Sequence, residues 1–175
     1  TVIFEVVEKE QLRPDATYTI NFGNAVKDLT ENNPAENLRF VFSTGAYIDS
    51  LTVSGTIVSA LTGEPVEKAL FMLYDNLNDS VVRTELPFYF GRTDKNGAFS
   101  IPNVRADTLK GFALLDADLN YRFNQSKEPV GFPDTWIITS DSSARNLRIR
   151  LFEEARPVKL LEQETATYGM VKLTY

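Results

Sequence analysis

An all-β fold follows from two features of the sequence. Short runs alternate apolar and polar residues, as a strand with one solvated face must, and the clearest is Leu51-Thr52-Val53-Ser54-Gly55-Thr56-Ile57-Val58. Turn formers stand between the runs. Thr62-Gly63-Glu64-Pro65 and Asn96-Gly97 each place a glycine where positive φ is wanted, and Pro65 fixes the exit into the next strand. Hydrophobic residues make up 43% of the chain and charged residues 24%, the balance of a chain with a folded core.

Taken in order, residues 1–7 are β-branched and aromatic and predict a strand. Leu12, Pro14 and Tyr18 then lead into Thr19-Ile20-Asn21-Phe22, where Tyr18, Ile20 and Phe22 share one face. This is the pattern of the tyrosine corner of immunoglobulin-like and fibronectin-like sandwiches, in which the phenol caps a late strand; the plainer reading makes Tyr18 a core aromatic. Residues 23–37 are polar and rich in turn formers, hence a loop. Residues 38–45 alternate as a closing strand.

The central stretch continues with strands over 51–58 and 66–74, the latter carrying Leu70-Phe71-Met72-Leu73-Tyr74 into a core. A loop of turn formers follows at 75–80. Phe88 and Phe90 are expected on one face of the next run and Tyr89 on the other. Asn96-Gly97 predicts a hairpin within 91–101. Residues 110–115, 136–138 and 146–152 read as further strands, and 156–161 with 168–175 as a last pair.

These residues carry two resemblances. Val53-Ser54-Gly55-Thr56-Ile57, Thr62-Gly63-Glu64-Pro65-Val66, Leu73-Tyr74, Thr93-Asp94-Lys95-Asn96-Gly97-Ala98-Phe99 and Phe112-Ala113-Leu114 together resemble a carboxypeptidase regulatory-like domain, a prealbumin-like sandwich. Tyr18-Thr19-Ile20-Asn21-Phe22-Gly23, Val26-Lys27-Asp28 and Phe40-Val41-Phe42-Ser43-Thr44-Gly45 resemble the C-terminal half of a bacterial Ig-like domain of the surface-layer type. The resemblances imply an all-β, prealbumin-like and Ig-like β-sandwich with flanking partial β segments. They divide the chain into 1–50, 51–152 and 153–175, the last opening a further domain or pairing with 1–50. They also imply the architecture of Bacteroidetes-type surface proteins or lipoproteins, exported to the cell envelope, with neighbouring domains of a longer parent as partners. Opening at Thr1 without an initiator Met, the chain reads as an excised piece of that parent, whose export signal or lipid anchor lies outside it.

Composition narrows the chemistry. Cysteine and histidine are both absent, which removes thiolate and imidazole nucleophile systems and the common zinc sites. The net charge of -6 argues against nucleic acid, whose phosphates call for clustered Lys and Arg. No apolar run approaches the roughly 18 residues of a membrane span. Two acids at a suitable separation would be enough for glycoside hydrolysis, but nothing in the pattern selects a pair among the 24 Asp and Glu. A non-catalytic spacer, structural or adhesion element is therefore the expected role, with a glycan- or peptide-binding module as its rival.

Two groups of residues would serve binding. Asp116, Asp118 and Asn120, with Glu128 downstream, offer hard oxygens of the kind calcium takes. The loop departs from the calcium-loop motif, with Tyr121 at the sixth position where Gly is needed and Lys127 at the twelfth where an acid is needed; the alternative is that these side chains cap backbone groups. No other cofactor is expected. Trp136, Tyr89, Tyr121 and Tyr47 would form a sugar platform if exposed and coplanar, although a lone Trp in a sandwich is expected in the core.

Overall fold

The computed structural model describes residues 11–23, 25–28, 30–33, 38–154, 162–167 and 170–174 of the chain, the last two stretches as backbone strands. The expected strands at 1–7 and 156–161 lie outside these residues. The first hairpin pairs β1 (Thr17–Asn21) with β2 (Arg39–Ser43), antiparallel, with Tyr18 opposite Phe42 and Ile20 opposite Phe40. Alternation puts these four on one face, and the Tyr18 and Phe42 rings stack at 5.4 Å. The tyrosine corner forms as well: the Arg13 N–H donates to the Tyr18 hydroxyl oxygen at 2.7 Å. Even so, Phe40 stays 52% exposed, because the two described strands do not by themselves enclose a face.

The sandwich is built from two sheets. β3 (Leu51–Ser59) leads through a turn in which Gly63 has φ +75°, the conformation expected of that glycine. The next strand, β4, runs Leu70–Tyr74 and not from residue 66. Lys68 has φ +64° and breaks the extension. In place of a ladder, the buried Thr93 hydroxyl accepts from Ala69 N–H at 2.9 Å and donates to Val66 C=O at 2.7 Å. A four-residue helix, α1 (Val81–Thr84), precedes β5 (Tyr89–Arg92), β6 (Ala98–Val104) and β7 (Thr108–Leu114). Two short strands, β8 (Val130–Gly131) and β9 (Ile137–Ile138), then lead to β10 (Leu147–Leu151).

One sheet has the order β10-β3-β6 and the other β5-β4-β7-β8, with β9 also pairing β7. The closing strand β10 runs parallel to β3. Leu147 lies opposite Gly55, and any Cβ there would collide with the Leu147 carbonyl, so the parallel pair depends on the glycine.

The Asn96-Gly97 turn is not a hairpin within one sheet. β5 joins β4 while β6 joins β3, so the turn carries the chain from one sheet to the other. Asp94 closes it, its carboxylate accepting from Asn96 N–H at 2.8 Å and Ala98 N–H at 2.9 Å. Gly97 (φ +70°) passes its carbonyl to Ile57 N–H at 2.8 Å. The local signal was right about the turn and silent about the partner, which packing decides.

Two cores result. Between the sheets lie Val53, Ile57, Phe71, Leu73, Phe99, Ile101 and Ile149, all buried, with Phe71 stacked on Phe99 at 4.4 Å. The outer face of the second sheet is also covered, and there Leu70, Met72, Tyr74, Phe112 and Leu114 pack under Val81 and Val82 of α1 and under Phe123. All five residues of β4 are therefore buried, which explains its unbroken apolar run. β11 (Glu162–Thr167) and β12 (Met170–Thr174) pair with each other, antiparallel. Met170–Thr174 falls within the expected 168–175 strand, and its partner is a polar run that alternation did not mark. Among the described residues no helix is long and apolar enough to cross a membrane.

Candidate functional site

The loop between β7 and β8 carries the oxygen ligands foreseen in the sequence. It roofs the outer core, since Phe123 is buried there and its N–H donates to the Val82 carbonyl of α1 at 2.8 Å. Its turns are tight, with Leu119 and Tyr121 both at φ +61°. Such turns turn N–H groups inward, where they need acceptors, and the acidic side chains supply them. Asp116 accepts from Asn120 N–H at 3.3 Å and Tyr121 N–H at 2.8 Å. Glu128, fully buried, accepts from the N–H groups of Ala117 at 3.0 Å, Asn124 at 3.3 Å and Gln125 at 3.2 Å.

Asp118 is exposed and takes side-chain amides: Asn120 at 2.9 Å, Gln125 at 3.0 Å and Asn124 at 3.2 Å. The Asn124 amide above all, with Gln125 beside it, holds its carboxyl below the ordinary value. Asp116, Asp118 and Glu128 bring oxygens within 4.8 Å of one another. Asn120 turns its amide nitrogen to Asp118 and its oxygen to Arg122 N–H at 2.7 Å. Three of the four foreseen residues thus converge, and each of those three already serves as an acceptor for loop groups.

The aromatic candidates do not converge. Trp136 is 57% exposed, against the expectation of a core tryptophan. β9 is only two residues long, and Ile137 points inward, so its neighbours in an extended strand must point out. Tyr47 is exposed as well. Tyr89 is half-buried, edge-on to Phe88 at 4.8 Å and 88°, while Tyr121 is tilted 58° from Phe90. These rings make no flat platform.

A third cluster, which the sequence did not disclose, joins the first hairpin to the sandwich. The Thr17 hydroxyl donates to the Asp49 carboxylate at 2.8 Å and accepts from Asp49 N–H at 2.9 Å. The Asp49 carbonyl takes the Asn103 amide at 2.9 Å. Nearby, the Arg13 guanidinium pairs with Asp75 at 2.7 Å and lies over the Phe88 ring at 4.5 Å. Arg105, paired with Asp107, approaches the same ring at 5.4 Å. The Arg13 hydrogen bond lowers the Asp75 carboxyl below its ordinary value. No sequence signal flagged this knot, because its partners are far apart in the chain, Arg13 and Asp75 by 62 positions.

Cavities among the described residues include two of note. One, about 640 Å³, opens at the sandwich end and is apolar, with Leu61, Leu115, Leu151 and Phe152 in its wall and Glu153 as its one acid. The other, about 700 Å³, lies between β1 and the edges of β5 and β6 and has no acid in its wall. Neither presents the converging acid pair that glycoside hydrolysis requires.

A family model described as a bacterial Ig-like domain matches residues 1–44. That span contains the hairpin and its tyrosine corner. No curated protein and no solved structure matches the chain.

Proposed function

We propose that the chain is a non-catalytic modular element of an exported bacterial surface protein, one that fixes the distance and orientation between neighbouring domains. In this reading residues 1–50 are the C-terminal part of an Ig-like domain, 51–152 a carboxypeptidase regulatory-like sandwich and 153–175 a further β segment. The observation that carries it is the knot between the hairpin and the sandwich. A flexible linker would leave residues 44–50 free, whereas here Asp49 is held by Thr17 and Asn103 and Arg13 is held by Asp75 and Phe88. A rigid joint transmits orientation. The match of residues 1–44 to a bacterial Ig-like domain supports the modular role and the surface location, since such domains typically occur in extracellular proteins.

Small-angle scattering of the whole chain tests this. One fixed arrangement of hairpin and sandwich is expected to fit the native profile, and Asp49→Ala combined with Arg13→Ala is expected to require a spread of arrangements. A native profile that already needs a spread would sink the spacer reading. Calcium bound through Asp116, Asp118 and Glu128 would stiffen the same element at its outer rim. Equal melting temperatures in calcium and in chelator would remove that refinement.

A further inference from the structure

We propose that the groove between β1 and the β5 and β6 edges binds an extended, carboxylate-bearing peptide segment. The groove holds about 700 Å³ and its wall includes Tyr18, Arg39, Phe88, Tyr89 and Arg92. Three observations choose the occupant. The first is charge. In a chain of net charge -6, the only charged side chains among the described residues of this wall are Arg39 and Arg92. Both are exposed, and among the described residues neither forms an ion pair. Their guanidiniums suit a carboxylate, which takes two parallel N–H donors from one arginine.

The second is backbone. Among the described residues β1 pairs only with β2 and β5 only with β4, so each offers an edge that no described strand covers; β6 adds little, since its Ala98 N–H goes to Asp94 and Pro102 has no N–H. An added strand satisfies such an edge and takes specificity from alternate side-chain pockets. Gly91 makes the approach possible: a Cβ there would stand 2.8 Å from Ile101 Cγ1, so the glycine lets β5 and β6 lie close enough to share one groove. The third is ring geometry. Phe88 and Tyr89 meet edge-on at 88°, which offers side-chain pockets and no flat face for a sugar.

The spacer reading does not depend on this groove, and the test differs. A fluorescein-labelled decapeptide of alternating glutamate and valine is titrated with the whole chain by anisotropy, beside its glutamine counterpart and a uronic-acid oligosaccharide of equal charge. The glutamate peptide is expected to bind, more weakly as salt rises. Arg39→Gln with Arg92→Gln is expected to weaken it about tenfold or more while leaving the melting temperature unchanged, both side chains being exposed. Amide resonances should move most at residues 17–21 and 89–92. The proposal is overturned if the glutamate peptide does not bind, if the glutamine peptide binds equally, if the double variant binds as the parent does, or if the oligosaccharide alone binds.

Discussion

The sandwich and the first hairpin use the same alternation of residues and end in opposite situations. In the sandwich, alternation delivers side chains to two enclosed layers, so that β4 is buried on both faces. In the hairpin, Tyr18, Ile20, Phe40 and Phe42 form an equally apolar face, yet Phe40 is half-exposed, and of the described residues 11–43 only Ala16 and Thr17 are buried. Apolar pattern alone therefore does not measure stability; enclosure does, because the hydrophobic gain scales with area removed from water. The described hairpin holds its place through polar ties at its base: the tyrosine corner, Asp49 and Arg13. The sandwich holds its place through packing.

The largest effect expected from this contrast lies in paired phenylalanine truncations. Phe71→Ala removes a fully buried ring stacked on Phe99 and should cost about 3–5 kcal/mol, the usual range for a core ring. Phe42→Ala removes a ring that stacks on Tyr18 in a half-exposed face and should cost about 1 kcal/mol. Urea denaturation of the two variants makes the comparison, and equal losses would break it.

Next in size is Glu128→Ala. It strips three part-buried N–H groups of their acceptor and should cost about 1–3 kcal/mol. Hydrogen exchange should accelerate at Ala117, Asn124 and Gln125 while the β3–β6 ladder stays protected. Uniform acceleration across the sandwich would show the loop to be part of one cooperative unit. Tyr18→Phe keeps the ring and deletes only the acceptor for Arg13 N–H, for a loss of about 1 kcal/mol. That loss should appear as faster exchange in β1 and β2 without any change in the sandwich.

How much of this was legible in the sequence depended on the range of the interaction. The Gly63 turn, the tyrosine corner and the closing strand at 147–151 were readable because each depends on residues close together in the chain. The start of β4 was not, because it is set by Thr93, whose hydroxyl occupies the backbone groups of residues 66 and 69. The switch of sheets at Asn96-Gly97 was hidden for the same reason, since a turn specifies its own geometry and not the sheet each flank joins. Asp116, Asp118 and Glu128 were found together because loop acids at short spacing attract notice whatever they do; their service as acceptors for the loop's own N–H groups emerged only from the fold. Asp49 and Arg13 gave no signal, and Trp136 gave a misleading one, because composition carries no information about which side of a two-residue strand faces out.

The smallest effect is also the one that separates the two regions most cleanly, and it is a pH effect at the joint. Asp75 has its carboxyl lowered below the ordinary 3.8 by the Arg13 hydrogen bond. A folded-state value below the unfolded one means that the stabilisation is complete above pH 3.8 and is lost as pH falls through the lowered folded value. Arg13 and Asp75 are partly exposed, so the pair is worth at most about 1 kcal/mol and is screened by salt. The sandwich core between the sheets contains no ion pair to titrate. Acidification from pH 6 to pH 3 should therefore lower the protection factors at Thr17–Asn21, each taken against the intrinsic exchange rate at the same pH, before it lowers those at Leu51–Ser59, and Arg13→Gln should remove most of that pH dependence. If the variant keeps the native pH dependence, Asp75 is not the group that ties the hairpin down, and the joint rests on Asp49 and Thr17 alone.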